Sequence, residues 1–217
     1  MRFLGKVFPV LGVVVFMSST LSSCSDESSN RSNSPKGWSV CNELFGSSSV
    51  DALQGEMGSG VLRVENSLTP VDEIMLSLSG MARRWEPGSE LHYAISEHPC
   101  DLGVEGRSDE FLSYVSWSAY SQQRIKAGEA GGGWQPVGKS IFVKREEGGL
   151  HLVAVISCKV EGTHEDQESQ LPLEIETQVR NVPDFDVEVL RKMTAHFTRE
   201  LVDGLKCKNS PEVPGAI

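Results

Sequence analysis

The sequence predicts an α+β domain: an antiparallel β-sheet covered by N-terminal and C-terminal helices and stapled by two disulfides. Three observations carry this expectation. Apolar residues recur every three or four positions near both ends of the chain, and every second position between them. Four cysteines, Cys41, Cys100, Cys158 and Cys207, are spread through the same stretch.

Ahead of the domain stands an address. Arg2 and Lys6 give a positive start, Val7 to Phe16 an apolar run, and Leu21-Ser22-Ser23-Cys24 places a cysteine behind two small residues. That is a lipobox rather than a small-residue cleavage site of the A-x-A kind. The apolar run dissolves into Ser18-Ser19-Thr20, well short of the roughly 20 residues a membrane span requires. Residues 1–23 are therefore expected to be a lipoprotein signal peptide, and the mature chain to begin at Cys24 with lipid on its sulfur and amine. Each buried CH2 of an acyl chain contributes about 0.8 kcal/mol, so two or three chains hold a domain on a bilayer unaided. Residues 24–37 are polar, Ser-rich and without apolar periodicity, the composition of a tether spanning about 20 Å. The expected location is the cell membrane, lipid-anchored on its extracytoplasmic face.

The domain itself is expected over 38–207. Trp38, Cys41, Leu44 and Phe45 fall on one face of a first helical turn. A second short helix carries Val50, Leu53 and Met57 on one side, with Ser48 in a capping pattern and Gly58 ending it. A strand is expected over Val61 to Glu65. Thr69-Pro70-Val71-Asp72 reads as a helix start, with Thr69 as cap and proline at the first helical position. Val71, Ile74, Leu78, Met81, Ala82 and Trp85 form its core stripe, and Pro87-Gly88 stops it. The period then changes to two, at Leu91, Tyr93 and Ile95, at Leu102 to Glu105, and at Phe111 to Tyr120. Ile125 to Trp134 reads as a mobile loop. Ser140 to Lys144 and Leu150 to Val160 flank Glu146-Glu147-Gly148-Gly149, a hairpin with a glycine turn whose second arm, apolar on both faces, belongs inside the sheet. Leu171, Leu173, Ile175, Thr177 and Val179 alternate with Glu174, Glu176, Gln178 and Arg180, so one face of that strand is in water. A long helix follows from near Asp184 or Asp186 to Lys206, with a stripe from Val187 to Leu205, and Gly204 weakens its last turn. Residues 208–217 are expected to be a flexible tail.

Outside the membrane, four cysteines without a C-x-x-C pair read as disulfides rather than as a zinc site. Three connectivities are open and spacing does not choose among them. The pairing of Cys41 with Cys100 and of Cys158 with Cys207 is favoured, because each bridge then staples one half and the second pins the last helix to an interior strand.

The whole chain carries a net charge of −10, and the segment before Cys24 holds two cations and no acid. No clustered Lys and Arg are available to displace phosphate counterions, so nucleic acid is set aside as a partner. Gly133-Trp134-Gln135-Pro136-Val137-Gly138-Lys139-Ser140 matches the P-loop pattern letter for letter. Phosphate binding of that kind needs a strand before the loop and a helix after it. Here a glycine-rich loop precedes and Ser140-Ile141-Phe142-Val143 continues as a strand, so no nucleotide is expected. His164, Glu165, Asp166 and Glu168, with Glu161 nearby, offer metal-ligand atoms at spacings that fit no ligand template, and a solvated loop accounts for them. His92, His98, His151 and His196 are scattered, no G-x-S-x-G elbow supplies a serine for them, and no pair of acids stands out for acid–base work. Neither a catalytic residue nor a cofactor is assigned. Trp134, beside the glycine loop 128–133, is the one speculative binding residue, an aromatic anchor on a lip if it does not fold back onto the core.

The lipobox, the opening Trp38-Ser39-Val40-Cys41-Asn42-Glu43-Leu44-Phe45, the strand Ala154-Val155-Ile156-Ser157-Cys158 and the closing Leu201-Val202-Asp203-Gly204-Leu205-Lys206-Cys207 together resemble the uncharacterised secreted lipoproteins of actinobacteria. The resemblance implies a cell-surface lipoprotein and adds no site residue. In element order the chain is also similar to PsbP-type antiparallel sheets. The expected function is that of a membrane-tethered, non-enzymatic binding or envelope-associated module, meeting an envelope protein or a small ligand. The alternatives are an extracytoplasmic hydrolase or metal-dependent enzyme whose site assembles only in three dimensions, and a partner-binding scaffold or immunity-type protein.

Overall fold

The computed structural model describes residues 38–66, 69–89 and 96–217. The lipobox, the tether and the alternating segment at Leu91 to Ile95 lie outside the described residues. In chain order the elements are α1 (Trp38–Phe45), α2 (Ser47–Glu56), β1 (Leu62–Asn66), α3 (Val71–Arg84), β2 (Asp101–Val104), β3 (Glu110–Trp117), α4 (Gln122–Lys126), β4 (Trp134–Val137), β5 (Ile141–Glu146), β6 (His151–Ile156), α5 (Gln167–Gln170), β7 (Leu173–Arg180) and α6 (Val187–Gly204). The predicted class holds: one seven-stranded sheet with helices and two disulfides.

Strand order is β1-β2-β3-β7-β6-β5-β4, and every neighbouring pair is antiparallel. The chain leaves β3 in the sheet interior, crosses through α4 to the far edge at β4, and walks back strand by strand until β7 closes against β3. That last pairing runs the full length of both strands, from Glu110 opposite Arg180 to Trp117 opposite Leu173. The predicted hairpin arm, β6, is an interior strand, with Ala154, Val155 and Ile156 all buried. The middle position belongs to β7.

Alternation fixes two faces. Phe111, Ser113, Val115 and Trp117 of β3 and Leu173, Ile175, Thr177 and Val179 of β7 turn inward. Against them pack Leu44 and Phe45 of α1, Leu53 of α2, Ile74 and Leu78 of α3, and Leu190, Met193, Phe197 and Leu201 of α6. Phe45 meets Phe111 edge-on at 5.2 Å and Phe197 at 4.7 Å. Burying each such ring stabilises by about 2 to 3 kcal/mol. Trp117 also donates its indole Nε1–H to the Leu78 carbonyl at 2.9 Å, so its polar edge is satisfied inside the core. Thr177 and Thr194 share a buried hydrogen bond of 2.6 Å between β7 and α6.

The disulfides are Cys41–Cys100 and Cys158–Cys207, with Cα separations of 5.2 and 5.0 Å. The first ties α1 to the entry of β2, and the second ties the residue two past β6 to the end of α6.

Several local expectations are corrected. Helix α2 starts at Ser47 after Gly46, whose φ of 76° permits the sharp joint with α1, and no side chain caps it. In α3 the boundary residue is Pro70 and the helix begins at Val71, one position later than expected. The segment expected to be a mobile loop, Ile125 to Trp134, is flanked by regular structure: its first two residues end α4, which is capped by Ser121 Oγ accepting from Arg124 N at 3.2 Å, its last begins β4, and 127–133 between them form turns. Gly204 marks a close helix crossing: a Cβ there would lie 2.7 Å from Met75 Cε on α3. The tail expected to be flexible is docked. Ile217 is fully buried, its N–H donates to the Arg191 carbonyl at 3.2 Å, and Arg191 Nε donates back to its oxygen at 2.9 Å. Arg199 Nη1 holds the Pro214 carbonyl at 2.8 Å. The reason is that Pro211 and Ile217 are buried, Ile217 within the main core and bonded to Arg191 of α6, which the polar residues around them concealed in the sequence.

Candidate functional site

The outward side chains of the sheet form three rows whose order follows from the register. The first runs Tyr114, Glu176, Val153, Lys144, Trp134; the second Ser116, Glu174, Val155, Phe142, Pro136; the third Leu112, Gln178, His151, Glu146. At the β4–β5 end this face is covered: Ile125 of α4, Phe142 and Val155 form a small second core, with Ala130 and Trp134 packed on it. Trp134 is half-buried there, and its Nε1–H donates to the Ala130 carbonyl at 3.2 Å. The glycine-rich segment thus folds back over the sheet.

Toward the centre the face is polar. His151 sits between two carboxylates, with Nε2 2.9 Å from Glu176 and Nδ1 3.2 Å from Glu146, which also pairs with Lys144. The hydrogen bond to Glu176 holds the His151 pKa above its ordinary value, against the opposing effect of burial. Glu146 is held lower than usual, first by its hydrogen bond to Lys144. Next to this cluster, burial pushes Glu174 up, and Ser118 Oγ, donating at 2.7 Å, offsets part of that shift. Burial likewise raises Tyr114, whose ring lies 4.3 Å from that of His98. Nδ1 of His98 is in turn 3.4 Å from Asp101.

In this arrangement the serine is committed to Glu174 and both nitrogens of His151 face acids. A nucleophile–base–orienter relay needs one ring nitrogen directed at a hydroxyl or thiol. The signal for the cluster was partly present in the sequence, since a four-residue turn places Glu146 opposite His151; the third member, Glu176, comes from a strand joined only through tertiary pairing.

Other expectations fall elsewhere. The P-loop-like segment forms β4 and a turn at Gly138–Ser140, and β5 follows directly, so no helix N-terminus follows its lysine. That turn borders a groove of about 500 Å³ shared with Asn209 and Glu212. In the acidic loop, His164 Nδ1 accepts from Asp166 N at 3.2 Å, Glu161 pairs with Lys208 at 3.0 Å, and Lys159 caps the carbonyls of His164 and Glu165. Among the described residues no group of three or more His, Cys, Asp or Glu side chains is arranged so that it could hold a metal ion. His196 faces the Leu44 carbonyl at 3.1 Å, while His92 and Cys24 lie outside the described residues. Missed by the sequence reading was Gln167, fully buried in a run of acids, because its polar neighbours suggested a solvated position.

Fold and faces together define a disulfide-stapled α+β domain with a polar, partly aromatic outer sheet surface. No protein-family model, curated protein or solved structure matches the chain. Among the described residues no helix is long and apolar enough to cross a membrane.

Proposed function

We propose that the chain is an extracytoplasmic lipoprotein, anchored at Cys24, whose domain is a non-enzymatic binding or envelope-associated module. The observation that carries the reading is the use of its cysteines. The four in the domain pair with one another, so neither bridge calls on the fifth, Cys24, which stands in the lipobox. Paired cysteines persist in oxidising compartments, and an apolar signal ending at a cysteine is the route by which such a domain leaves the cytosol and stays on its membrane. The likeness to secreted actinobacterial lipoproteins points the same way. For the domain's role, the support is that His151 is occupied by two carboxylates, an arrangement that suits recognition better than acyl transfer.

The test is labelling of cells that express the full chain with a radioactive fatty acid, followed by fractionation. The wild-type chain takes up label and sediments with membranes, and Cys24→Ala does neither. A mature wild-type chain that begins at another residue and carries no lipid overturns the proposal.

A further inference from the structure

A groove of about 500 Å³, within the size range of small-molecule sites, separates the β4–β5 turn from the chain that follows the second disulfide. One wall is the turn at Gly138–Ser140 with Val137 ahead of it; the other is the stretch from Asn209 to Pro214. Both walls are held by the fold. The Ser140 carbonyl accepts from Gln122 Nε2 and from Ser157 N, each at 2.9 Å. Across the groove, Asn209 accepts from Lys159 N and donates to the Ser157 carbonyl, and Arg199 Nη1 donates to the Pro214 carbonyl at 2.8 Å.

Val137 and Pro214 line the groove and are only half-buried, so each offers apolar surface there. Two charged side chains line it as well, Lys139 on the turn and Glu212 on the opposite wall, both exposed. Among the described residues neither side chain makes an ion pair or a hydrogen bond, with each other or with a third group. The opposite signs are what select a ligand. A plain anion gains Lys139 and meets Glu212, a plain cation does the reverse, and a molecule carrying both charges gains from each wall.

We propose that this groove binds a small zwitterion with an apolar side group, an α-amino acid or a short peptide. Its carboxylate lies toward Lys139, its ammonium toward Glu212 and its apolar group on Val137 and Pro214. Walls already fixed by hydrogen bonds lower the ordering cost that binding has to meet. The proposal names a ligand class for the binding module above and rests on that reading of the domain. Anchoring at Cys24 plays no part in it, so a failed titration and a failed labelling experiment are distinguishable.

The experiment is an NMR titration of the full chain, following the backbone amides of Gly138, Lys139, Ser140, Ser210 and Glu212. The separate probes are leucine, leucyl-leucine, glycine, isocaproate (leucine without its ammonium) and isoamylamine (leucine without its carboxylate). A saturable shift of these amides with leucine or leucyl-leucine is expected, about threefold or more tighter than with either singly charged analogue or with glycine, the scale of one exposed charge contact. Which of the two binds more tightly tells a free amino acid from a peptide. Lys139→Gln is expected to bring leucine down to the affinity of isoamylamine, and Glu212→Gln to that of isocaproate, because each variant removes the partner of one charge. Both side chains are exposed and make no bond in the fold, so neither variant disturbs folding. Absence of a saturable shift with both leucine and leucyl-leucine at about 20 mM overturns the proposal. So does equal affinity for a singly charged analogue or for glycine, or unchanged affinity in either variant.

Discussion

His151 shows how one residue's role depends on partners far away in the sequence. Glu146 lies across the adjacent turn and Glu176 on β7, and both face the imidazole, with Glu147 near enough to favour its charge and Gln178 opposite it in the register. The folded pKa is raised above the reference of 6.5. A group raised on folding stabilises fully below its unfolded pKa, and the contribution is lost as pH rises through the folded value. Urea unfolding of the wild type and His151→Gln is therefore expected to show a larger deficit for the variant at about pH 5.5 than at about pH 9, once both curves are referred to their own pH baselines. An equal deficit at both values would mean that the imidazole is a neutral spacer. In the sequence this residue was one of four scattered histidines. The Glu146 partner was legible from the hairpin, but Glu176 was not, because the pairing of β6 with β7 spans a connection of irregular length.

At the scale of elements, legibility followed periodicity. Helices α1, α3 and α6 and strands β3, β5, β6 and β7 have stripes long enough to fix their type and inward face, and all were expected within a few residues of where they form. Short elements escaped. Helix α4 has five residues and sits beside a glycine run, so tertiary contacts hold it: its Ser121 cap, Gln122 Nε2 donating to the Ser140 carbonyl at 2.9 Å, and the packing of Ile125 against Phe142. The β6–β7 connection escaped for a different reason: its organiser is a single buried amide. Gln167 Nε2 donates to the carbonyls of Cys158 and Leu171, both at 3.0 Å, and Oε1 accepts from Val160 N at 3.0 Å and Thr163 Oγ1 at 3.2 Å. Gln167→Leu removes one side chain and orphans several backbone groups, a loss of about 3 kcal/mol measured by urea unfolding. A loss under about 0.5 kcal/mol would show that water replaces the amide without cost.

For the molecule as a whole, the two bridges divide the work between the two ends of the chain. Cys41–Cys100 closes a separation of 59 residues around α2, β1 and α3, and Cys158–Cys207 one of 49 around α5, β7 and α6. Spacing left their connectivity open; the topology decides it, because β7 must return beside β3 and carry α6 back across the end of β6. Around the second bridge the folded chain is held by other bonds as well: Lys208 N donates to the Lys159 carbonyl at 2.8 Å, and Asn209 accepts from Lys159 N and donates to the Ser157 carbonyl. The bridge therefore acts chiefly on the unfolded ensemble, where a loop of that length is worth about 4 kcal/mol in the chain-entropy model, a large share of the roughly 5 to 15 kcal/mol that holds a domain together. The double variant Cys158→Ala with Cys207→Ala is expected to keep the native circular-dichroism spectrum, to lose about 4 kcal/mol in urea unfolding, and to unfold with a steeper dependence on urea because its unfolded chain exposes more surface. If the variant instead loses less than about 1 kcal/mol with an unchanged slope, the hydrogen bonds at Lys159 and Asn209 already restrain the unfolded chain, and the bridge is redundant.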